Sequence, residues 1–247
     1  MSRARVYRVS ALLIRQRNFG EADRIVTLLT RERGKLSAIA KGVKKARSKF
    51  AGGLQLFSLA RLQLAVGRSL EVVTQVEPTA GFYHLREDLG RFAHASYLCE
   101  LVDVLTEEQA PDSAIFDLLV AALGALDAGG DPPTVTRGFE LKLLTHLGYG
   151  PEMNTCVACG TEVEGGEAGF SAAEGGILCQ SCRRGQGAPE LGAGALAAMR
   201  DLIRLPLEEL AGRRLRAGVQ QELERIMRAY VDYRLERPLR SAALLVR

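Results

Sequence analysis

The first 80 residues contain short apolar runs separated by turn residues, a pattern typical of β-strands. Turn sequences such as RNFG, RERG and Gly67-Arg68-Ser69 bound these runs, and Pro78 is expected to end the last of them. The pattern predicts five strands, over residues 7–17, 24–30, 35–41, 54–66 and 70–77.

Five short strands in about 75 residues favour a small closed β-barrel, for which the OB-fold is the leading candidate. An SH3-like barrel remains an alternative, because strand count alone does not separate the two. The residues predicted to belong to the core rather than to a binding surface are Phe57, Leu59, Leu62 and Leu64. Phe19 and Phe50 lie beside glycine or lysine and are candidates either for base stacking or for the core.

From residue 80 the apolar spacing becomes helical. Three stripes predict an antiparallel helical unit over residues 80–149. Pro111-Asp112-Ser113 and Asp131-Pro132-Pro133 are start signals for the second and third helices, and Gly148 is a stop signal. The stripes are Tyr97, Leu98, Leu101, Val102, Leu105; Ile115, Leu118, Leu119, Ala122, Leu126; and Phe139, Leu143, Leu144, Leu147.

Residues 191–236 are again predicted to be helical, with a stripe that runs from Leu223 to Val231 and a stop at Pro238. Between the helical regions, residues 150–188 are irregular and rich in glycine. His94, Cys99 and His146 fall in predicted helices and have no neighbour at metal-ligand spacing, so each is expected to fill the core.

Charge is distributed unevenly along the chain, although the net charge is only +4. Residues 1–80 have 16 Lys and Arg against 5 Asp and Glu, whereas residues 81–155 have 4 against 12. Residues 189–247 are weakly basic, with 11 against 8. A basic β-domain followed by an acidic helical segment indicates a polyanionic partner for the first.

The basic charge concentrates around the third predicted strand and the loop that follows it. No acidic residue lies between Glu32 and Glu71. A basic loop that leaves a small barrel is a common way to hold a phosphate backbone, and a solvated polar loop is the alternative. The predicted DNA contacts are Arg15, Arg17, Arg24, Lys35, Lys41, Lys44, Lys45, Arg47 and Lys49.

Two Cys-x-x-Cys pairs lie in the glycine-rich segment, Cys156 with Cys159 and Cys179 with Cys182. Each tight turn places two thiolates on one side, and two such turns complete a tetrahedron of soft ligands for one Zn²⁺ ion. Four cysteine ligands leave no open position, which predicts a structural zinc ribbon or knuckle. Two disulfides or a redox pair are less favoured alternatives in a chain predicted to be cytoplasmic.

Other classes of activity lack their signatures in the sequence. There is no GxxxxGK[ST] motif, and the three histidines have no plausible nucleophile partner. The acids Glu21, Asp23 and Glu32 lie among arginines and are expected to form local ion pairs. No apolar run is long enough to cross a membrane, and the short SALLI patch does not suit a signal peptide. We therefore predict a cytoplasmic protein without catalytic residues or a membrane partner.

The stretch ALLIRQRNFGEADRIVTLLTRERGKLSAIAKGVKKARSKF resembles the N-terminal signature of RecO, a family of bacterial DNA repair and recombination mediators. The later features agree in order along the whole chain. They are the basic β-domain, the helical middle and the four-cysteine insertion before the last helices.

The resemblance implies a multidomain α+β protein. It comprises an OB-fold DNA-binding domain (1–79), an α-helical domain (80–149 and 189–247) and a four-cysteine zinc-binding insertion (150–188). Some members of the family lack the cysteines, so zinc is not expected to be needed for the core activity. Nuclease or ATPase activity is not implied, and a nucleoid association follows from DNA binding.

The resemblance also implies activities and partners. RecO-like proteins bind single- and double-stranded DNA, anneal complementary strands and, with RecR and also RecF, promote RecA loading. They bind the C-terminal tail of the single-stranded DNA-binding protein, for which we expect an apolar groove rimmed by arginines from residues 189–247. The rival interpretation is a non-catalytic adaptor whose basic barrel binds acidic proteins. A zinc ribbon that itself contacts DNA is disfavoured by its acidic surroundings.

Overall fold

The computed structural model describes residues 6–45, 48, 50, 53–166, 168–235 and 238–245. The chain forms two compact units, residues 1–127 and 128–247. In the described part of the chain, no helix is both long and apolar enough to cross a bilayer.

The first unit begins with a five-stranded barrel. Each strand overlaps the corresponding predicted run. The strands are β1 (Val6–Phe19), β2 (Asp23–Thr30), β3 (Gly34–Ala40), β4 (Ser58–Ala65) and β5 (Glu71–Gly81).

The barrel closes in the order β1-β2-β3-β5-β4. Strand β1 pairs antiparallel with both β2 and β4, and a short parallel contact between β3 and β5 closes the remaining gap. In that contact Ala38 lies opposite Glu71 and Ile39 lies opposite Val72. The predicted OB-type barrel is therefore confirmed by the pairing, which strand count alone could not decide.

Two predicted strand limits were wrong. Strand β4 begins at Ser58 rather than Leu54, because Phe57 has a left-handed backbone (φ 69°) that interrupts the extended chain. Strand β5 continues through Pro78 to Gly81. Pro78 lies opposite Ala60 beside a shift of register, where the ladder is already irregular and can tolerate a missing N–H.

Alternating residues of the strands fill the barrel interior, as the period of two requires. Val26, Leu28, Leu62 and Leu64 are buried there. Leu59 is only half-buried, because alternation along β4 places it on the opposite face from Leu62 and Leu64, so its predicted place in this core was wrong. Phe50 also belongs to this core with only 5% of its surface exposed, so its predicted alternative role in base stacking is wrong.

In the described part of the first unit, the barrel is followed by helices α1 (His84–Glu87), α2 (Leu89–Leu105) and α3 (Ser113–Asp127). The carboxylate of Asp88 accepts the N–H of Arg91 at the start of α2. Asp112 accepts the N–H groups of Ala114 and Ile115, which confirms the predicted start signal of α3. The first two predicted helical stripes correspond to buried faces of α2 and α3.

Lys35, at the start of β3, is buried against the C-terminal end of α2. Its ammonium donates to the carbonyl oxygens of Asp103 and Thr106 and lies 3.3 Å from the Asp103 carboxylate. A cation at this position satisfies carbonyl groups that the last turn of a helix leaves unpaired. Gly34 has φ +67° and approaches the backbone of Ala110 so closely that a Cβ atom would lie 2.2 Å from its carbonyl oxygen.

The second unit has a helical part and a small β-element. Its helices are α4 (Pro132–His146), α5 (Gln180–Gln186), α6 (Ala193–Arg204), α7 (Leu207–Ala211) and α8 (Ala217–Leu235), followed by a 3₁₀ turn (Ser241–Leu244). Strands β6 (Ala168–Ser171), β7 (Gly176–Leu178) and β8 (Glu190–Leu191) form an antiparallel sheet in the order β7-β6-β8.

Helix α4 is the most buried helix element of this unit and packs against α6, α7 and α8. Asp131 caps its N-terminus, as the Asp-Pro-Pro start signal predicted. Gly138 leaves room for Leu210, whose Cδ1 would lie 2.6 Å from an added Cβ. The sequence predicted that α2, α3 and α4 form one helical unit over residues 80–149. The boundary between the two compact units lies after Asp127, so α4 belongs to the second unit and α2 and α3 belong to the first.

We predict that Lys35→Met destabilises the first unit. The substitution keeps the apolar stem but leaves the carbonyls of Asp103 and Thr106 without this donor, while the Asp103 carboxylate retains Arg15. The free energy of unfolding should therefore fall by about 1–3 kcal/mol. Urea unfolding of the full chain measures the loss, and hydrogen exchange localises it to β3 and α2. The exposed Lys41→Met variant is the control and should change stability by less than about 0.5 kcal/mol. Equal stability of the two variants would contradict the prediction.

Candidate nucleic-acid interface and metal centre

The β1–β2 hairpin and the loop after β3 are joined by two hydrogen bonds. The Gly42 N–H donates to the Asp23 carboxylate at 2.7 Å, and the Lys44 N–H donates to the Ala22 carbonyl at 3.0 Å. The strand register also places Arg24 opposite Ala40, next to Lys41. We call the resulting group the hairpin-end cluster: Phe19, Arg24, Lys41, Lys44 and Lys45.

The side chains of the hairpin-end cluster are mostly in solvent. Phe19 is 50% exposed, and Lys41, Lys44 and Lys45 are all exposed. Arg24 is half-buried and donates to Gln16 at 3.2 Å. An exposed aromatic ring among cations suits a single-stranded nucleic acid, whose bases can stack while its phosphates meet positive charge.

A shallow groove of 220 Å³ crosses the outer face of β1, β2 and β3. Arg15 and Arg17 line it together with Thr27 and Ser37. In OB-folds this face and the β1–β2 and β4–β5 loops form the usual ligand-binding surface. The charge of Arg15 is partly balanced, because its guanidinium lies 3.3 Å from Asp103.

The nine residues predicted to contact DNA do not all lie on one surface. Arg15, Arg17, Arg24, Lys41, Lys44 and Lys45 lie at the groove or in the hairpin-end cluster. Lys35 does not, because its buried ammonium is bound to the end of α2, and we do not retain it as a DNA contact. Arg47 and Lys49 lie outside the described residues.

The acids of this region have structural partners. Asp23 accepts the Gly42 N–H, and Glu32 accepts the N–H of Ser10 at 2.9 Å. Both carboxylates thus accept hydrogen bonds from backbone N–H groups, whereas the sequence predicted local ion pairs. Within the described residues, the cysteine group is the one set of three or more His, Cys, Asp and Glu side chains whose ligand atoms converge.

The Cys-x-x-Cys turns approach each other across the small sheet of the second unit. The Val157 N–H donates to the Ile177 carbonyl at 2.9 Å, which joins the first turn to β7. The first turn closes through a bond from the Gly160 N–H to the Cys156 carbonyl, with φ +74° at Gly160. Cys179 precedes α5, and Cys182 lies within its first turn.

The four sulfur atoms all lie within 4.8 Å of one another, and the Sγ atoms of Cys159 and Cys179 are 3.8 Å apart. A tetrahedral Zn²⁺ site with Zn–S bonds of about 2.3 Å has sulfurs about 3.8 Å apart. A disulfide would need about 2.05 Å. The donor set and its spacing therefore fit one tetrahedral metal ion, and the predicted four-residue cluster is brought together as expected.

Neighbouring groups shift the pKa values of the cysteine thiols in opposite directions. The hydroxyl and N–H of Thr161 stabilise the Cys159 thiolate and lower its pKa to about 6. Hydrogen bonds with Cys179 and Cys159 raise the pKa of Cys182 to about 12. In the absence of a metal, the sulfurs share protons among them. A metal ion would replace these protons, since it binds all four sulfurs as thiolates.

Arg200 attaches the cysteine element to helix α6. Its guanidinium donates to three carbonyl oxygens, those of Met153 at 2.9 Å, Val163 at 2.5 Å and Glu164 at 3.1 Å. Sequence reasoning missed this residue, because an isolated arginine in an amphipathic helix carries no signal of its partners.

The isolated histidines and the fifth cysteine differ in environment. Cys99 is buried, as predicted, and burial raises the pKa of its thiol. His94 is half-buried. His146 is exposed at the end of α4, so the expectation that it fills the core was wrong.

An OB-type barrel with an exposed aromatic and cationic end, followed by helices and a four-cysteine element, is an architecture typical of nucleic-acid-binding proteins. Comparison with known proteins makes the assignment specific. The family models "Recombination protein O N terminal" and "Recombination protein O C terminal" match residues 1–82 and 86–243. The chain belongs to the RecO family.

Relatives agree over nearly the full length. The DNA repair protein RecO of Symbiobacterium thermophilum is 43% identical over 244 residues, which are 97% of this chain and 96% of that protein. The RecO of Roseiflexus sp. (strain RS-1) is 41% identical and covers 98% of this chain and 86% of its own length. That of Anaeromyxobacter dehalogenans is 39% identical, with 96% and 95% covered.

We predict one metal ion per chain, held by the four cysteines. The double variant Cys156→Ser/Cys159→Ser removes half of the ligands, so elemental analysis should find the metal lost. Limited proteolysis should then cut within residues 150–188, while the barrel stays resistant. Cys99→Ala is the control and should keep the metal, because Cys99 lies in α2 of the other unit. Purified wild-type protein without metal and with its thiols oxidised would contradict the prediction.

Proposed function

We propose that the chain is a non-catalytic DNA-binding mediator of recombinational repair, in keeping with the names of its relatives. The observation that carries the proposal is the joining of the β1–β2 hairpin to the loop after β3, because it gathers Phe19 and the loop cations at one end of the barrel. The barrel, residues 1–79, is the proposed DNA-binding domain.

In this proposal, phosphates of single- or double-stranded DNA bind the hairpin-end cluster and the groove lined by Arg15 and Arg17. Arg47 and Lys49 extend the same basic loop in sequence and remain proposed contacts. Each cation releases counterions from the DNA, so affinity falls as salt rises. Phe19 supplies a ring for one unpaired base, which favours single strands without reading their sequence.

Strand annealing follows from the same electrostatics. Two complementary strands repel each other through their phosphates, and screening that charge lowers the cost of bringing them together. No base-specific contact is needed, since pairing itself selects the complement. With RecR, and also RecF, such a protein would promote the loading of RecA onto single strands coated by their binding protein.

The metal proposed for the cysteine cluster is Zn²⁺. Four thiolates form a soft tetrahedral set that suits zinc and leaves no position for a substrate or water. The ion would therefore hold residues 150–188 together and take no part in chemistry. No catalytic residue is proposed for the chain.

We further propose that the C-terminal tail of the single-stranded DNA-binding protein binds a groove of the second unit. This α6–α8 groove has a volume of 590 Å³, and its floor includes Ala197, Ala198 and Leu202. Its rim is formed by three arginines, Arg213, Arg214 and Arg216. A small apolar floor with a cationic rim complements a peptide that is both hydrophobic and acidic.

The rim arginines are available to an incoming carboxylate. The Arg214 side chain is 85% exposed and lies 3.4 Å from Asp131, and Arg213 lies 3.7 Å from Asp201. The pair of Arg213 and Asp201 is about half exposed on both sides, and such pairs contribute little to stability, so exchanging it for a peptide carboxylate costs little. Arg216 is exposed as well.

The DNA proposal predicts that Lys44→Glu/Lys45→Glu lowers DNA affinity and annealing together. Each lost phosphate contact should reduce the salt slope of binding by about 0.7 on single strands or about 0.9 on duplex. Fluorescence anisotropy of labelled oligonucleotides across a salt series measures both quantities. The fold should survive, because both side chains are exposed.

The control is Arg8→Glu/Arg61→Glu, which changes the charge of the same barrel equally. These arginines line a separate groove on β1, β4 and β5 together with Glu32 and Glu77. Equal losses in the two variants would mean that only the overall charge matters. Unchanged DNA binding by the lysine variant, combined with lost binding of acidic proteins, would favour the adaptor interpretation.

The groove proposal predicts that Arg213→Glu/Arg216→Glu weakens tail binding by roughly tenfold or more, the equivalent of about 1.4 kcal/mol. Titration with a labelled peptide of the tail measures this, and a peptide lacking its last apolar residues gives the baseline. DNA binding by the barrel should not change. Wild-type affinity in this variant would show that the tail binds elsewhere.

A further inference from the structure

Three tyrosine rings surround the guanidinium of Arg234 in the second unit. The Cζ atom of Arg234 lies 5.0 Å from the ring centre of Tyr230, 5.7 Å from that of Tyr233 and 5.9 Å from that of Tyr149. Distances of this size allow a cation–π attraction to each ring. Half of the six tyrosines of the chain thus lie around one cation, which calls for a physical reason.

The inner part of this group is firmly held. Tyr230 is fully buried, packs edge-to-face on Phe170 and donates its hydroxyl to the Tyr149 carbonyl at 2.7 Å. Arg234 in turn donates to the Tyr230 hydroxyl at 3.3 Å. Gly175 makes room for the guanidinium, because a Cβ atom there would lie 2.5 Å from an Arg234 nitrogen.

The outer part is in solvent. Tyr149 is 48% exposed and Tyr233 is 53% exposed, so neither ring contributes its full area to the core. Both rings nevertheless lie within cation–π distance of Arg234, which favours their present positions. Exposed rings that are already ordered can bind a flat ligand with little further loss of side-chain entropy.

We propose that Tyr149 and Tyr233 form a stacking platform for unpaired bases of single-stranded DNA. The inference rests on the proposed DNA-binding function and adds a contact in the second unit, separate from the hairpin-end cluster of the barrel. Every base has an aromatic face, so such a platform accepts any sequence. The permanent positive charge of Arg234 beside the rings favours a polyanion over a cationic peptide.

The platform and the hairpin-end cluster should differ in salt dependence. The Arg234 guanidinium is partly buried and already bonded to Tyr230, so the platform supplies stacking rather than phosphate neutralisation. Stacking releases no condensed counterions. Loss of the rings should therefore lower affinity without changing the salt slope, whereas loss of the loop lysines should change both.

The test compares full-length wild-type protein with Tyr149→Ala/Tyr233→Ala. Anisotropy titrations use a single-stranded oligonucleotide, an abasic strand with the same phosphates, and a duplex. We expect the alanine pair to weaken single-strand binding by about 5-fold to 150-fold for each stacked base. Binding of the abasic strand and of the duplex should not change, because neither offers an unpaired base.

The matched control is Tyr149→Phe/Tyr233→Phe, which keeps both rings and should bind like the wild type. Metal content and thermal unfolding verify the fold, and the single alanine variants replace the pair if it does not fold. Wild-type affinity of the alanine variants for single strands, or an equal loss on the abasic strand, would overturn the platform alone. Wild-type protein that binds none of the three DNAs would overturn the proposed function as well.

Discussion

The first unit depends on the burial of one positive charge. The Lys35 ammonium at the start of β3 binds the carbonyl end of α2, and the adjacent Gly34 allows the backbone near Ala110 to approach. Burial of an unpaired lysine would be strongly destabilising. Here the carbonyl dipoles and Asp103 stabilise the charge and offset the free energy of its desolvation. Together with the pairing of Arg31 with Asp117 and the bond from Arg86 to the Leu56 carbonyl, this contact joins the barrel to its helices.

In the second unit, polar groups hold a small β-element, residues 150–188, in place. The sheet of β6, β7 and β8 is small, with strands of four, three and two residues. Arg200 donates to three carbonyl oxygens of the element and Tyr230 donates to the Tyr149 carbonyl beside it, which holds this element against the helices. The four cysteine sulfurs converge within the element. A metal ion bound by these cysteines would have a structural purpose, because it would join the two turns of the element.

Cations in this chain serve two purposes, and their surroundings decide which. Lys35, Arg137 and Arg200 bind carbonyl or carboxylate oxygens within the folded units. Lys44 and Lys45 project from a loop whose backbone is fixed by Ala22 and Asp23. The first group stabilises the units, and the second remains free for the phosphates of the proposed ligand. The loop is attached through the backbone N–H groups of Gly42 and Lys44, so the attachment keeps the two ammonium groups near each other and does not involve them.

Local patterns in the sequence determined much of this protein. Alternation and turn residues predicted the five strands, helical stripes and Asp caps predicted α2, α3 and α4, and the two Cys-x-x-Cys turns predicted the metal ligands, because each signal depends on neighbours close in sequence. Tertiary structure decided the rest. The parallel β3–β5 contact, the burial of Lys35 and Phe50, the exposure of His146 and the approach of Tyr149 to Arg234 all depend on residues far apart in the chain. Residue type alone does not tell whether a lysine meets a helix end or solvent, since that is set by which element packs over it.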